Sequence, residues 1–138
     1  MTAHAPLTSA DYQLLARFRF ALRTFMRFSE QSARDAGLTP AQHQLLLAVK
    51  GYPNAAQPTL SDVADMLQLK LHSAGELLDR AVANGLVARH DDPEDGRRVL
   101  VRLTPDGERH LRDLTVLHRD ELRRFKQEMN SVLRELDG

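Results

Sequence analysis

The 138-residue chain contains no cysteine. A disulfide framework, a thiolate zinc site and a thiol redox switch are therefore excluded. Charge of one sign is also lacking. Nineteen basic and 19 acidic residues give zero formal charge, which rules out a generic polybasic binder but leaves room for a local basic patch. The longest aliphatic run, Leu45 to Val49, falls far short of the roughly 20 residues that a membrane-spanning helix needs. The opening MTAHAPLTSADY has no basic segment followed by an apolar one, so it does not resemble a secretory signal. Aromatic residues are scarce at 5%, yet hydrophobic residues reach 42% and charged residues 28%. That is the balance of a folded soluble chain rather than a disordered one. The expectation is a soluble, cytoplasmic protein forming one domain, 1–138, that pairs with a copy of itself.

Punctuation residues divide the chain. A first helix is expected from Thr8 or Ser9, either of which can cap free N–H groups, to about Ala36. Leu15, Phe18, Leu22, Phe25 and Ser29 follow helical spacing. Leu14, Phe20, Ala21, Met26 and Phe28 widen the stripe until only Arg19, Arg23 and Arg27 keep a narrow wet face. A helix this apolar is buried on two sides, and in so short a chain the second side calls for a partner subunit. Gly37 stops it. Thr39-Pro40-Ala41-Gln42 is a capping box with proline at the first helical position, opening a second helix that ends at Lys50-Gly51. After a loop, Thr59 caps a short helix carrying Val63, Ala64 and Leu67. A tight link at Gln68-Leu69-Lys70 leads to another helix, about Leu71 to Asn84, stopped by Gly85.

The period then changes. Leu86 to His90 and Arg98 to Leu103 read as strands, the second with Val99, Val101 and Leu103 on one face. Asp91 to Arg97 between them forms a turn with an Asp95-Gly96 pair. Thr104-Pro105 opens a final helical region, where Leu111, Leu114, His118, Leu122, Phe125, Met129, Val132 and Leu136 recur every three or four residues. The pattern allows one long helix or two joined near Asn130. The fold class is mainly α with a small β-hairpin wing: a winged helix-turn-helix at about 58–104, flanked by long helices at about 9–36 and 105–137. Such a small core gains buried area most economically by pairing the long helices with a second copy. Leu15, Phe18, Leu22, Leu122, Phe125, Met129 and Leu136 are the expected dimer-interface residues.

Asp92-Pro93-Glu94-Asp95-Gly96-Arg97-Arg98, followed by Leu103-Thr104-Pro105-Asp106-Gly107, resembles the wing signature of the MarR-type (multiple antibiotic resistance regulator) winged-helix repressors. Leu77-Leu78-Asp79-Arg80 with Gly85-Leu86-Val87 is similar to that family's recognition-helix end, and Thr39 to Gln42 to the opening of its second helix. The likeness spans roughly Leu15 to Leu114. It implies a homodimeric repressor on a pseudo-palindromic operator, with each recognition helix in a major groove and each wing at a minor groove. It also implies release by a small, often aromatic, ligand bound between the dimerisation helices and the winged helix. The absence of cysteine excludes the family's thiol-based peroxide sensing.

On this resemblance Arg97 is the residue inserted into the minor groove, where negative potential is strongest. Asp95 holds its guanidinium through a charge-assisted pair. The competing reading is a solvated hairpin tip whose ion pair is worth little. Arg98 continues the motif. In the recognition helix, His72 and Ser73 stand where short polar side chains reach phosphates or base edges, and Gly75 allows a close backbone approach. Lys70 and Arg80 are candidate phosphate contacts. Relatives commonly carry a small hydroxyl residue where Lys70 stands, Thr or Ser at Gly75, and a basic or polar residue at Glu76. A carboxylate facing DNA is repelled by phosphates unless it accepts from a cytosine amine. Glu76 is therefore expected to turn away and pair with Arg80 at i+4.

Charge complicates the picture. From Pro58 to Thr104, six basic residues stand against eight acidic ones, a net of −2, whereas Asp11 to Asp35 has five against three, a net of +2. Non-specific DNA binding is then weak and sharply salt-sensitive, and specificity rests on a few well-placed contacts. A winged-helix dimer that mediates protein contacts without specific DNA binding is the alternative function. For an effector, Phe25, Met26, His43 and Leu46 lie on the segments that line the family's cleft, although a histidine among apolar side chains is equally a hydrogen-bonded core residue. His43 and His118 could approach each other in a dimer.

Enzymatic readings find little support. His118-Arg119-Asp120 echoes a kinase tripeptide without any glycine-rich nucleotide loop. Pro93 interrupts the acids at 91–95, which lack calcium-loop spacing. The histidines at 4, 72, 90 and 110 form no metal pair. No enzyme activity, cofactor, metal or membrane contact is expected. The expected partners are double-stranded DNA, a second copy and a small-molecule effector.

Overall fold

The computed structural model describes residues 4–54 and 56–137. Its elements are α1 (Ser9–Asp35), α2 (Pro40–Lys50), α3 (Leu60–Leu67), α4 (Leu71–Ala83), β1 (Val87–Asp91), β2 (Val99–Leu103) and α5 (Pro105–Asp137). Three helices start on reciprocal caps. Asp11 accepts from the Thr8 N–H at 2.8 Å, Thr39 and Gln42 exchange two bonds of 3.1 Å, and Thr59 and Asp62 exchange bonds of 2.9 and 3.1 Å. Each box satisfies N–H groups that the helix cannot pair internally. Gly37 and Gly85 stand at φ +83° and +74° after α1 and α4, the left-handed conformation that ends a helix at low cost in glycine.

Helix α2 is the hub, packing on α1, α3, α4, α5 and β2. Leu45 and Leu46 of α2, Val63 of α3, Leu78 of α4, Val101 of β2 and Leu114 of α5 are the largest fully buried side chains. At about 25 cal/mol per Å² of apolar surface removed from water, they dominate the favourable side of folding.

The strands pair antiparallel with Val87 opposite Leu103 and Asp91 opposite Val99. The wing is tied to the helices by a bridge between Thr59 and Leu100, and by the Val101 N–H donating to the Pro58 carbonyl at 3.0 Å. Three strand boundaries shift from the sequence pattern. β1 begins and ends one residue later than expected, at Val87 and Asp91, and the Leu86 carbonyl just before it accepts from the Thr104 N–H at 3.1 Å. Arg98 lies outside β2, because its N–H closes the turn onto the Asp95 carbonyl at 2.9 Å.

The final region is one unbroken helix of 33 residues, with no joint at Asn130. It lies along α1, where Arg17 pairs with Glu135 and donates to Ser131 Oγ at 3.1 Å. Phe25 and Phe125 meet with ring centroids 5.2 Å apart. Within one chain, α1 buries only Ala21, Ser29, Ser32 and Ala33. Leu15, Phe20 and Met26 of α1, and Leu117, Leu122 and Leu136 of α5, remain exposed. Of the expected interface residues, Leu15, Leu122 and Leu136 are therefore open, while Phe18, Leu22, Phe125 and Met129 are already half-buried within the chain.

Candidate nucleic-acid interface

Helices α3 and α4 form the helix-turn-helix. The turn is made at Gln68, which takes a left-handed conformation at φ 55°, and Leu69 N–H donates back to the Ala64 carbonyl at 2.9 Å. Lys70 precedes α4 in extended conformation and supplies no side-chain cap. The first N–H groups of α4 thus stay open, a favourable surrounding for a phosphate. Ala74, Leu77, Leu78 and Ala81 are buried. The helical period then sets His72, Glu76 and Asp79 on the opposite, exposed meridian. Ser73 and Arg80, two turns apart, occupy its flank and are exposed. Gly75 is half-buried, and a Cβ there would lie 3.9 Å from Leu60 Cδ2 of α3. It therefore belongs to the α3–α4 contact rather than to the middle of the open face.

Glu76 does not pair with Arg80. Its Oε1 is 3.0 Å from His72 Nε2, one turn back on the same meridian. Spacing of four residues served both partners equally, and the pair that forms is the one with His72. Asp79 is taken by Arg89 of β1 at 2.5 Å, which couples the recognition helix to the wing.

At the wing tip, Asp92 Oδ1 accepts from the Glu94 N–H at 2.9 Å, and Asp95 Oδ1 accepts from the backbone N–H and Nε of Arg97 at 3.1 and 3.2 Å. Hydrogen bonds from the Arg97 side chain first, and then from its backbone, hold the Asp95 carboxyl below the usual carboxylate range. The expected Asp95–Arg97 pair is thus present, and the Arg97 side chain is 91% exposed. Arg98 is also exposed and lends positive charge to both Asp62 and Asp95.

The four expected effector residues do not line one cavity. Leu46 is fully buried and His43 is 3% exposed, whereas Phe25 is half-buried, packs against Phe125 and lines a small groove between α1 and α5. Met26 faces a separate groove among Arg19, Leu22, Arg23, Arg27 and Glu30. A groove of about 720 Å³ runs along the first half of α5 beside Lys50, lined by Leu111, Thr115 and Val116 with Arg109, Arg112 and Arg119.

His43 and His118 meet within a single chain, with centroids 4.9 Å apart. His118 Nδ1 donates to the Leu114 carbonyl at 2.7 Å, which leaves Nε2 to accept from the Ser29 hydroxyl at 2.9 Å. His43 Nδ1 is buried with no partner. Burial, and then repulsion from His118, lower the His43 pKa. Seventy-five residues separate the two rings, so only the tertiary fold brings them together. Among the described residues, no three His, Asp or Glu side chains are grouped to hold a metal ion, and no helix is long and apolar enough to cross a membrane.

A MarR family model matches residues 36–98, the span from the end of α1 to the wing tip. The structure superposes on a crystal structure of the MarR family transcription regulator SP03579 with a TM-score of 0.72 and 26% identity, covering 91% of this chain and 81% of that one. Over residues 36–98 the chain is similar to the MarR family. An uncharacterized HTH-type transcriptional regulator of Bacillus subtilis (strain 168), YsmB, is 26% identical over 121 residues, 85% of this chain and 81% of its own length. A mutant MarR from E. coli complexed with operator DNA shares the fold at a TM-score of 0.70 and 22% identity, over 96% and 97% of the two chains. MarR-family proteins are transcription regulators and not enzymes. In this chain His118 joins α1 to α5 through Ser29.

Proposed function

We propose that the chain is a homodimeric, cytoplasmic repressor that binds a pseudo-palindromic operator and is released by a small aromatic ligand. Residues 58–104 are the DNA-binding unit, and α1 and α5 pair the two copies. The observation that carries this reading is the wing tip. Arg97 is almost wholly exposed yet held by Asp95, so its guanidinium meets a minor groove with little further ordering to do. Lys70, His72, Ser73 and Arg80 would supply the contacts of α4, with Arg98 beside Arg97 on the wing. The open apolar side chains Leu15, Phe20, Leu122 and Leu136 give the two-fold contact that sets two recognition helices about 34 Å apart. An aromatic ligand fits the apolar groove beside Lys50 and Arg112. It would release DNA by favouring a different spacing of the two helices.

Fluorescence anisotropy tests this with DNA upstream of the chain's own gene against scrambled DNA, at two salt concentrations, followed by selection from random DNA. Specific binding with a shallow salt dependence is expected, since few phosphates are contacted. The acidic meridian of α4 favours a second reading, a winged-helix dimer that contacts proteins and no longer reads DNA. Failure to enrich any sequence, together with a co-purifying protein, would decide for it.

A further inference from the structure

We propose that Glu76 selects a cytosine in each operator half-site, with His72 as the residue that positions its carboxylate. The assignment rests on the DNA-binding reading above.

Consider what α4 offers to a major groove. Its exposed meridian carries His72 and Glu76 in the N-terminal half, the part of a recognition helix that meets base edges. Asp79, one turn on, is neutralised by Arg89. Glu76 is tied to no arginine or lysine among the described residues, its side chain is 56% exposed, and its partner is the His72 ring at 3.0 Å. The ring nitrogen stands beside one carboxylate oxygen, and the Glu76 side chain is otherwise open to solvent.

An ionised carboxylate only accepts hydrogen bonds. In the major groove, guanine shows two acceptors, thymine shows an acceptor and a methyl group, and adenine sets the acceptor N7 beside its N6 amine. Cytosine alone offers a donor, its N4 amine, with no acceptor of its own next to it. Against any other base, Glu76 would be desolvated between acceptors inside a phosphate-lined groove. Discrimination therefore comes mainly from the penalty on wrong bases. This also gives the acidity of the unit a use, because generic attraction is weakened while one base pair is spared.

Selection from random DNA with the full-length wild type, Glu76→Gln, Glu76→Ala and His72→Ala tests the assignment. Wild type is expected to enrich cytosine at one position per half-site, with about tenfold preference in anisotropy titrations. Glu76→Gln should move that position to adenine, whose N6 and N7 suit an amide. Glu76→Ala should lose preference there and keep it elsewhere. His72→Ala should lower the preference with its melting temperature unchanged, a result that a purely structural role would not produce. A folded Glu76→Ala with an unaltered preference at every position overturns the assignment to Glu76. A wild type that enriches no sequence overturns the DNA-binding reading itself, and this assignment with it.

Discussion

The substitution Gly107→Ala separates local helix preference from tertiary packing, because the two give opposite signs. Gly107 lies in the first turn of α5, and there alanine is favoured over glycine by up to about 1 kcal/mol. A methyl group built at this position, however, would overlap the Leu86 carbonyl oxygen and stand 3.0 Å from its carbon. Backbone has to move. The Leu86 carbonyl accepts from the Thr104 N–H at 3.1 Å, Thr104 Oγ1 donates to the Gly85 carbonyl at 2.6 Å, and Gly107 N–H donates to Thr104 Oγ1 at 3.1 Å. Displacing Leu86 disrupts about two of these bonds at about 1 kcal/mol each. Overpacking against buried backbone adds about 1–3 kcal/mol. After the gain in helix preference, a net loss of about 3 kcal/mol is expected, a fall in melting temperature on the order of 10 °C. Circular dichroism melts at one fixed protein concentration read this directly. Gly96→Ala serves as the control, since nothing lies within 4 Å of a Cβ there. A Gly107→Ala protein that melts at or above wild type would refute the packing argument.

Other substitutions probe other parts of the molecule. Arg97→Ala, at the exposed wing tip, is expected to weaken operator binding by about tenfold or more with an unchanged melting temperature, measured by anisotropy. Thr39→Ala removes the hydroxyl that accepts from the Gln42 N–H at 3.1 Å, and should cost about 1 kcal/mol in urea unfolding. Leu122→Lys, on the open face of α5, should shift light scattering from dimer toward monomer on dilution. The depressed pKa of His43 makes stability depend on acid. Its contribution is complete above the ordinary value of 6.5 and is lost as pH falls through 6.5 toward the lower folded value. A His43→Gln variant should lose stability less steeply between pH 7 and 5, and a slope equal to that of wild type would exclude His43 as its source.

Legibility in the sequence followed range. The caps at Thr8, Thr39 and Thr59 and the stops at Gly37 and Gly85 depend on residues within one turn, and the elements begin and end at or within a residue or two of where these signals stand. The Asp95–Arg97 pair spans two residues and was equally readable. Ambiguity began where one spacing served two partners. Glu76 had His72 on one side and Arg80 on the other at equal separation, and helical spacing alone does not choose between them. Continuity of α5 through Asn130 was undecided because a heptad-like pattern is the same for one helix or two. Beyond that, the information is tertiary. No local signal marks that His43 turns inward onto His118, or that Phe25 meets Phe125.

The unbroken α5 has a mechanical consequence. At 1.5 Å per residue its 33 residues make a rod of about 50 Å. It is rooted in the winged helix through Leu111 and Leu114 and runs out along α1 as far as Glu135. A rod without a joint acts as a lever, and a tilt of only about 5° at one end moves the other by about 4 Å at this length. That is close to the rise between neighbouring base pairs, about 3.4 Å. In the proposed dimer, small changes in how two such rods cross would therefore carry the two α4 helices out of register with DNA by a whole base pair.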